Sequence, residues 1–360
     1  MDEHMLMLAC HLDSERFDLA VAEHVHDGEQ TQLLAERARI RLTKAPEDSG
    51  MGRFSQLSDL RDFFRRERPS VLHLHSPTVG GQLLPALAAR LAGVERVVST
   101  YQQIQPQRLP QKSRLISAFT HSVLIDKTIA VSTAVGETVQ TMAGVGAGRL
   151  TVIPNGIELQ GGPEGHACPG LLPARVADEV RLGYFGRLSP EKGLNALLRS
   201  FALVQERYPR SLLVLVGDGP QRAELEILAC HLGLMDRVVF LGFRSDARAI
   251  MAQVDIVVHA PEYEGFGLVM LEAMAASRPL VVNDAPGGMR ELVQDGVNGL
   301  VAAAGSPAAL AEAIMKVVVS PTLRQELGKK GRKLCEERYS ADVMARRTQD
   351  VYEKLLGLTN

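Results

Sequence analysis

Residues 259–276, HAPEYEGFGLVMLEAMAA, give the clearest indication of how the chain folds. They follow the apolar run Ile256–His259, which predicts a buried strand. They then pass through a loop with Gly265 and Gly267 into an apolar helix that begins near Leu268. A strand, a glycine loop and a helix together present backbone N–H groups and a positive helix end to a phosphate. The window therefore predicts the phosphate-binding turn of a parallel α/β sheet.

Two carboxylates flank this loop, Glu264 before it and Glu272 one turn into the predicted helix. Carboxylates accept hydrogen bonds from sugar and ribose hydroxyls, so together with the N–H groups they suit a nucleotide sugar. A pair of carboxylates is also the machinery of glycoside hydrolases. The hydrolase alternative is less favoured, because the sequence indicates neither a raised pKa nor a facing geometry.

The rest of the chain alternates short apolar runs with helix-length amphipathic segments, the pattern of doubly wound α/β sheets. The stretch Gln160–Asp178, rich in glycine and proline, separates two such sets. A helix over Glu3–Leu12 precedes the first set, and the last stretch, Pro321–Leu356, is helical by pattern. The predicted strands are Asp18–Ala22, Val71–His75, Arg96–Thr100, Thr128–Val131 and Thr151–Pro154, then Arg181–Phe185, Leu212–Val216, Arg237–Leu241, Ile256–His259 and Leu280–Val282.

Two further strand ends carry candidate ligand-binding residues. In Gly183–Leu198, Arg187 and Lys192 follow a strand, where a guanidinium can fork onto a diphosphate and an ammonium can act as a point charge. A surface ion pair with Glu191 is the alternative there. In LVGDGP, residues 215–220, Gly219 would let the backbone approach a ribose, although such a turn is often only a turn.

Composition narrows the function classes. The chain has 360 residues and a formal net charge of -2, so bulk charge does not favour nucleic acid. Its four cysteines form no close pairs, which indicates neither a disulfide framework nor a zinc site. No apolar run reaches roughly 18 residues and no signal peptide opens the chain, so we expect a soluble, cytoplasmic protein. The segment 144–148, GVGAG, follows a predicted helix and is rejected as a nicotinamide site.

Taken together, these windows resemble glycosyltransferase family 4, a retaining group with the GT-B fold of two Rossmann-like domains and a cleft between them. The resemblance spans nearly the whole chain in the right order. It rests on the Glu264-to-Glu272 window, GRLSPEKG from Gly186, LVGDGP from Leu215, IPNGIE at 153–158, VLHLHS at 71–76, IAVS at 129–132 and PGGMRELVQDGVNGLV from Pro286.

The resemblance implies a role for each matching residue. Glu272 would hold the ribose hydroxyls, Glu264 would contact the transferred sugar, and Arg187 and Lys192 would grip the diphosphate. The base would rest near Phe243 and Arg244. The loop Gly265, Phe266, Gly267 and Leu268 would supply N–H groups to sugar and phosphate.

It also implies an arrangement of domains. Residues 1–160 would form the acceptor-side domain and residues 161–338 the nucleotide-sugar-binding domain. Residues 339–360 would form a helix that crosses back to the first domain.

The chain departs from the family pattern in two places. The family's first strand, with a glycine pair that touches the diphosphate, is expected to be missing. Gln102 stands where the family often has a histidine, and an amide cannot carry a proton as an imidazole can. His75 is a candidate substitute, although strand histidines are more often hydrogen-bonded structural groups.

Three functions remain open at this point. The favoured one is a retaining transfer of sugar from a UDP-, GDP- or ADP-sugar to a hydroxyl acceptor (glycan, glycolipid or small molecule), with no cofactor and no metal. The second is a catalytically impaired subunit that binds nucleotide sugar, and the third is an isomerase of nucleotide sugars. The polar, basic stretch Tyr101–Leu115 would face anionic lipid heads at the inner face of a membrane, an anionic acceptor or, more simply, solvent. The sequence does not indicate the acceptor, the transferred sugar or the oligomeric state.

Overall fold

A computed structural model of the chain describes residues 3–23, 40–46, 53–76, 82–103, 110–159 and 171–358. The chain forms two compact units, residues 157–340 and the remainder, 1–156 with 341–360. These boundaries differ by a few residues from the predicted ones at 160 and 339. Ile157 and Ser340 form a parallel bridge, and the Ile157 N–H donates to the Tyr339 carbonyl at 2.9 Å. The first and last residues of the second unit are therefore hydrogen-bonded to each other. Most of the predicted linker, residues 160–170, lies outside the described residues.

The first unit contains a pair of parallel strands and a four-stranded parallel sheet, whose strands lie side by side in chain order from Val71–Ser76 to Leu150–Val152. The strand Arg41–Lys44 was not predicted, because its residues, RLTK, contain no apolar run. In chain order its elements are α1 (Glu3–His11), β1 (Ala20–Glu23), β2 (Arg41–Lys44), α2 (Arg53–Glu67), β3 (Val71–Ser76), α3 (Leu83–Ala92), β4 (Arg96–Tyr101), α4 (Gln111–Phe119) with a π-helical continuation (Thr120–Leu124), β5 (Lys127–Ala130), α5 (Thr133–Ala143), a 3₁₀ turn (Ala147–Arg149) and β6 (Leu150–Val152).

The second unit is a six-stranded parallel sheet with helices between its strands. From one edge to the other, its strands are Gly299–Ala302, Leu280–Asn283, Ile256–His259, Val180–Phe185, Ser211–Val216 and Val238–Gly242. Its elements are β7 (Val180–Phe185), a 3₁₀ turn (Pro190–Lys192), α6 (Leu194–Arg207), β8 (Ser211–Val216), α7 (Arg222–His231), β9 (Val238–Gly242), α8 (Ala247–Met251), β10 (Ile256–His259), α9 (Leu268–Ala275), β11 (Leu280–Asn283), α10 (Met289–Leu292), β12 (Gly299–Ala302), α11 (Pro307–Val318) and α12 (Pro321–Arg338). Every residue of β7, β8 and β10 is buried, as expected of parallel strands covered on both faces. The predicted class, two parallel-sheet α/β domains, is confirmed.

The helical stretch at the end of the chain divides into two helices near residue 339, where the resemblance placed the start of the last helix. Helix α12 ends at Arg338, and α13 spans Ala341–Leu356. Met344, Ala345 and Tyr352 of α13 are buried in one hydrophobic cluster of the first unit, with Leu8, Leu12, Val98, Ile129 and Ile153. Arg347 also donates to the Val152 carbonyl at 2.8 Å. The last helix is therefore part of the first unit's core.

Candidate active site

The strand order of the second unit reverses between β7 and β10. The chain runs outward from β7 through β8 to β9 and then returns to the other side of β7 with β10. In open α/β sheets, ligands bind outside the carboxyl ends of the strands at such a reversal, because the loops on either side diverge there. The two loops that leave β7 and β10 carry Arg187, Lys192 and Glu264. The topology thus brings the predicted diphosphate and sugar residues to one edge of the sheet.

Glu264 is held by two donors. Lys192 Nζ donates to Glu264 Oε2 at 2.9 Å, and His259 Nε2 lies 3.1 Å from the same oxygen. Burial raises the pKa of Glu264, but the hydrogen bond and positive charge of His259 and the charge and hydrogen bond of Lys192 outweigh it, so that the pKa falls to about 2. The carboxylate is therefore ionised throughout the physiological pH range and accepts hydrogen bonds.

The sequence did not single out His259. It is the last residue of β10, it is 2% exposed, and its ring stacks on Tyr184 with centroids 6.3 Å apart. Because a carboxylate only accepts, the contact with Glu264 requires a hydrogen on His259 Nε2. The one available signal was a polar residue at the end of an otherwise apolar strand.

The Tyr184 hydroxyl extends this arrangement to the other loop, because it donates to the Arg187 carbonyl at 2.8 Å. The Arg187 side chain is exposed, and it has no ion pair with any described residue. Glu191, the predicted competitor, accepts a hydrogen bond from Ser189 Oγ at 2.5 Å. Lys192 is ion-paired, but its partner is Glu264.

Glycines allow these loops to approach closely. Gly193 has a φ of +67°, and a Cβ there would lie within 3.0 Å of the Ala260 carbonyl oxygen at the end of β10. At Gly219, a Cβ would lie 2.8 Å from the Leu188 carbonyl carbon, so this glycine is required where the LVGDGP loop packs on the Arg187 loop. Gly219 therefore allows close packing between two loops of the protein. The sequence had indicated only an approach of its backbone to a ribose.

The loop before α9 is anchored on its apolar side. The Phe266 side chain is 2% exposed, and its ring meets Tyr339 edge-on at 6.2 Å. Gly267, with a φ of +88°, precedes the first residue of the helix, Leu268. Glu264 N–H donates to the Pro286 carbonyl at 3.1 Å, and Gly288 N–H donates to the Glu264 carbonyl at 2.9 Å. Backbone bonds thus fix Glu264 and the start of the Gly265–Leu268 loop.

Glu272 and the predicted base-binding residues lie around α8. Arg248 of α8 donates to Glu272 Oε1 at 3.3 Å, a pairing across two helices that the sequence did not indicate. Arg244 is bound by both oxygens of Asp246, at 2.7 and 2.8 Å. Phe243 is 80% exposed, which is unusual for an aromatic ring and leaves its face open to a planar partner.

The remaining candidates lie in the first unit. Asn155 Nδ2 donates to Gln102 Oε1 at 3.0 Å, so the amide that stands in the histidine position is held by the IPNGIE motif. His73 binds Thr100 Oγ1 at 2.7 Å and the Tyr352 hydroxyl. Burial lowers the pKa of His73 to about 3, and burial, His73 and His4 lower the pKa of His75 well below its ordinary value. Both imidazoles are therefore neutral at physiological pH.

Two protein-family models match the chain. The model described as "Glycosyltransferase Family 4" matches residues 1–160, and the model "Glycosyl transferases group 1" matches residues 174–334. The chain belongs to glycosyltransferase family 4.

Proteins with similar sequences are also named glycosyltransferases. The putative glycosyltransferase EpsD of Bacillus subtilis is 28% identical over 93% of this chain and 90% of its own length. An uncharacterized glycosyltransferase of Methanocaldococcus jannaschii is 35% identical over 49% of this chain, and the match spans only 45% of that protein. The crystal structure of Anabaena HepE with UDP and glucose superposes with a TM-score of 0.81 at 25% identity, covering 98% of this chain and 95% of that one. The GT-B fold of this family-4 member is thereby confirmed.

Proposed function

We propose that the protein transfers a sugar from a nucleoside-diphosphate sugar to a hydroxyl acceptor with retention of the anomeric configuration. One observation carries the proposal, namely the ionised Glu264 held by Lys192 and His259 at the strand reversal. We infer a uridine donor, because the HepE structure contains UDP and glucose.

The site's charges suit a leaving diphosphate. The acceptor oxygen attacks the anomeric carbon on the face from which the diphosphate departs. The bonding electron pair passes to the diphosphate oxygen, which then takes the acceptor's proton. Arg187, Lys192 and the N-terminus of α9 stabilise the charge that builds up on that oxygen. No side-chain base is needed for this step.

Lys192 serves both partners in this scheme. Its ammonium has three hydrogens, so it can donate to Glu264 and to a phosphate oxygen at once. Lys192 and His259 both bind Oε2 of Glu264. We therefore assign the other oxygen, Oε1, to the hydroxyls of the transferred sugar.

The donor's nucleoside is assigned to the other half of the site. Glu272 would accept from the ribose hydroxyls, with Arg248 orienting its carboxylate at 3.3 Å. The base would stack on the exposed ring of Phe243, beside Arg244.

We also propose that the reaction needs no metal ion. Two cations and a helix N-terminus already face the diphosphate in this scheme.

The hydrolase alternative fits the site less well. A hydrolytic pair requires one carboxylic acid with a raised pKa that protonates the leaving group. The pKa of Glu264 is instead lowered to about 2, because His259 and Lys192 more than offset its burial. Glu264 therefore suits hydrogen bonding to a sugar and not proton donation.

A second candidate function is binding of a nucleotide sugar without turnover. Gln102 favours it, because this amide is held by Asn155 and cannot carry a proton in the place of a histidine. The two candidates share the donor site and differ only in transfer.

The test measures donor binding and transfer separately. Thermal unfolding of the full chain is followed with UDP, GDP, ADP and their sugars, since a ligand at about 100 times its dissociation constant stabilises by about 2.7 kcal/mol. Release of the nucleoside diphosphate is then measured with and without a panel of hydroxyl acceptors. Release only when acceptor is present supports transfer and excludes an isomerase, and the anomeric proton coupling of the product tests retention.

Two matched pairs of variants locate the site. Lys192→Met and Glu272→Ala are expected to lose donor binding and transfer. Lys316→Met and Glu326→Ala, exposed residues on α11 and α12, are expected to keep both. Binding without release across the panel would favour the second candidate. Transfer that survives in Lys192→Met and Glu272→Ala would overturn the site assignment.

A further inference from the structure

The segment 111–124 of the first unit, helix α4 with its π-helical continuation, carries an exposed apolar strip. Leu115 is 66% exposed, Phe119 52% and Val123 56%, and Ile116 beside them is 38% exposed. Residues 115, 119 and 123 are four apart, so they lie along one side of the helix over about 12 Å.

Apart from Leu124, which is 5% exposed and packs in a core cluster, the residues that the segment buries are polar. Ser117, Thr120 and His121 are each no more than 3% exposed. The Tyr101 hydroxyl lies 2.8 Å from His121 Nε2, and Thr120 Oγ1 donates to the Ile116 carbonyl at 2.8 Å. An ordinary surface helix has the opposite arrangement, with its apolar stripe against the core. The segment thus exposes four large apolar side chains on its outer side, a surface that suits an apolar partner outside the unit.

Positive charge surrounds the strip at both ends. Lys112 and Arg114 lie in its first turn and are exposed. At the other end, Arg149 donates to the Ser122 carbonyl at 2.7 Å and thereby holds its guanidinium next to Val123. The sequence contains no Asp or Glu between Glu95 and Asp126. The strip is therefore flanked by cations and has no acidic residue within its own stretch of chain.

We propose that this surface, the 111–124 strip with its flanking cations, docks onto a bilayer that contains anionic phospholipids. The apolar side chains would enter the boundary between head groups and acyl chains, and the cations would meet lipid phosphates. Among the described residues, no helix combines the length and the hydropathy of a membrane span. The proposed attachment is to the surface of the bilayer.

Charge favours a bilayer over a second copy of the chain. A symmetric dimer through this surface would bring Lys112, Arg114 and Arg149 against their own copies, with no acidic residue of the strip to compensate. An anionic lipid surface satisfies the apolar and the cationic parts together.

Vesicle co-sedimentation of the full chain tests the proposal. The wild-type protein is expected to bind vesicles of phosphatidylcholine with phosphatidylglycerol, and to bind pure phosphatidylcholine weakly. Leu115→Ser with Phe119→Ser is expected to lower the partition coefficient by about tenfold or more, because two large apolar side chains leave the lipid. Lys112→Gln with Arg114→Gln should lower it only for the anionic vesicles, and added salt should do the same.

Ile227→Ser with Met235→Ser provides the matched control, because these residues of the second unit are 59% and 55% exposed. This control should bind vesicles as the wild type does, and melting temperatures should confirm that all variants fold. Equal binding by the Leu115→Ser, Phe119→Ser variant and the control would overturn the proposal. So would a dimer in light scattering that the Leu115→Ser, Phe119→Ser substitutions dissociate. The assay contains no donor, so its outcome is independent of the transferase proposal.

Discussion

Gly193 offers the sharpest test of how the site is built. It ends the 3₁₀ turn that carries Lys192, and its φ of +67° is left-handed. A Cβ on Gly193 would lie within 3.0 Å of the Ala260 carbonyl oxygen and 3.1 Å from its carbonyl carbon. Both are backbone atoms at the end of β10, so the loop that carries Lys192 must move away from the strand that positions Glu264.

The magnitude follows from two costs. A left-handed alanine costs about 1–2 kcal/mol relative to glycine, and a steric overlap in packed backbone adds about 1–3 kcal/mol. Gly193→Ala should therefore lower the free energy of unfolding by about 2–5 kcal/mol. Gly233→Ala is a matched control, because Gly233 has a φ of +70° and nothing within 4 Å of the added Cβ. Gly233→Ala should lower the free energy of unfolding only by the cost of a left-handed alanine, about 1–2 kcal/mol.

Calorimetry of the full chain measures the difference through the unfolding transition of the second unit. Gly193→Ala should also reduce kcat/KM for the donor, because Lys192 Nζ moves from its position 2.9 Å from Glu264 Oε2, whereas Gly233→Ala should leave it unchanged. Equal destabilisation by the two substitutions would refute the reasoning, since it would mean that the loop and the end of β10 do not press on each other.

Three further predictions concern single groups. Because the pKa of Glu264 is lowered to about 2 in the folded protein, its stabilising contribution is present above about pH 4.5 and is lost as pH falls towards 2. Glu264→Gln should flatten melting temperature against pH in that window, and parallel curves would contradict the lowered pKa. His259→Gln, which keeps a hydrogen-bond donor, should retain more kcat than His259→Leu, with the loss in kcat and not in KM for the acceptor; equal rates would show that His259 does not position Glu264. Phe243→Ala should leave the free energy of unfolding within about 0.5 kcal/mol, because the ring is 80% exposed. It should weaken nucleotide binding by about tenfold in calorimetric titration. An unchanged affinity would show that the base does not stack on this ring.

Some elements were readable because their signals are local. The apolar runs that form β7, β8 and β10 are buried on both faces, so they stand out without any knowledge of their neighbours. By contrast, Arg41–Lys44 became a strand only through pairing with β1, and its own four residues contain no apolar run. The helical pattern of residues 321–356 likewise contains no break, and only the family resemblance placed the start of the last helix near residue 339. In the structure, the bridge from Ser340 to Ile157 lies between α12 and α13.

The sequence by itself determined which loops of the second unit bear the chemistry, because glycines, cations and carboxylates follow buried strands in a recognisable order. It left the partner of Lys192 undecided, with Glu191 as the near candidate. Only the tertiary structure paired Lys192 with Glu264, 72 residues away, and placed His259 on the same oxygen. The physical reason is that β7 and β10 are neighbours in the sheet but distant in the chain, so their loops meet only after the sheet has formed.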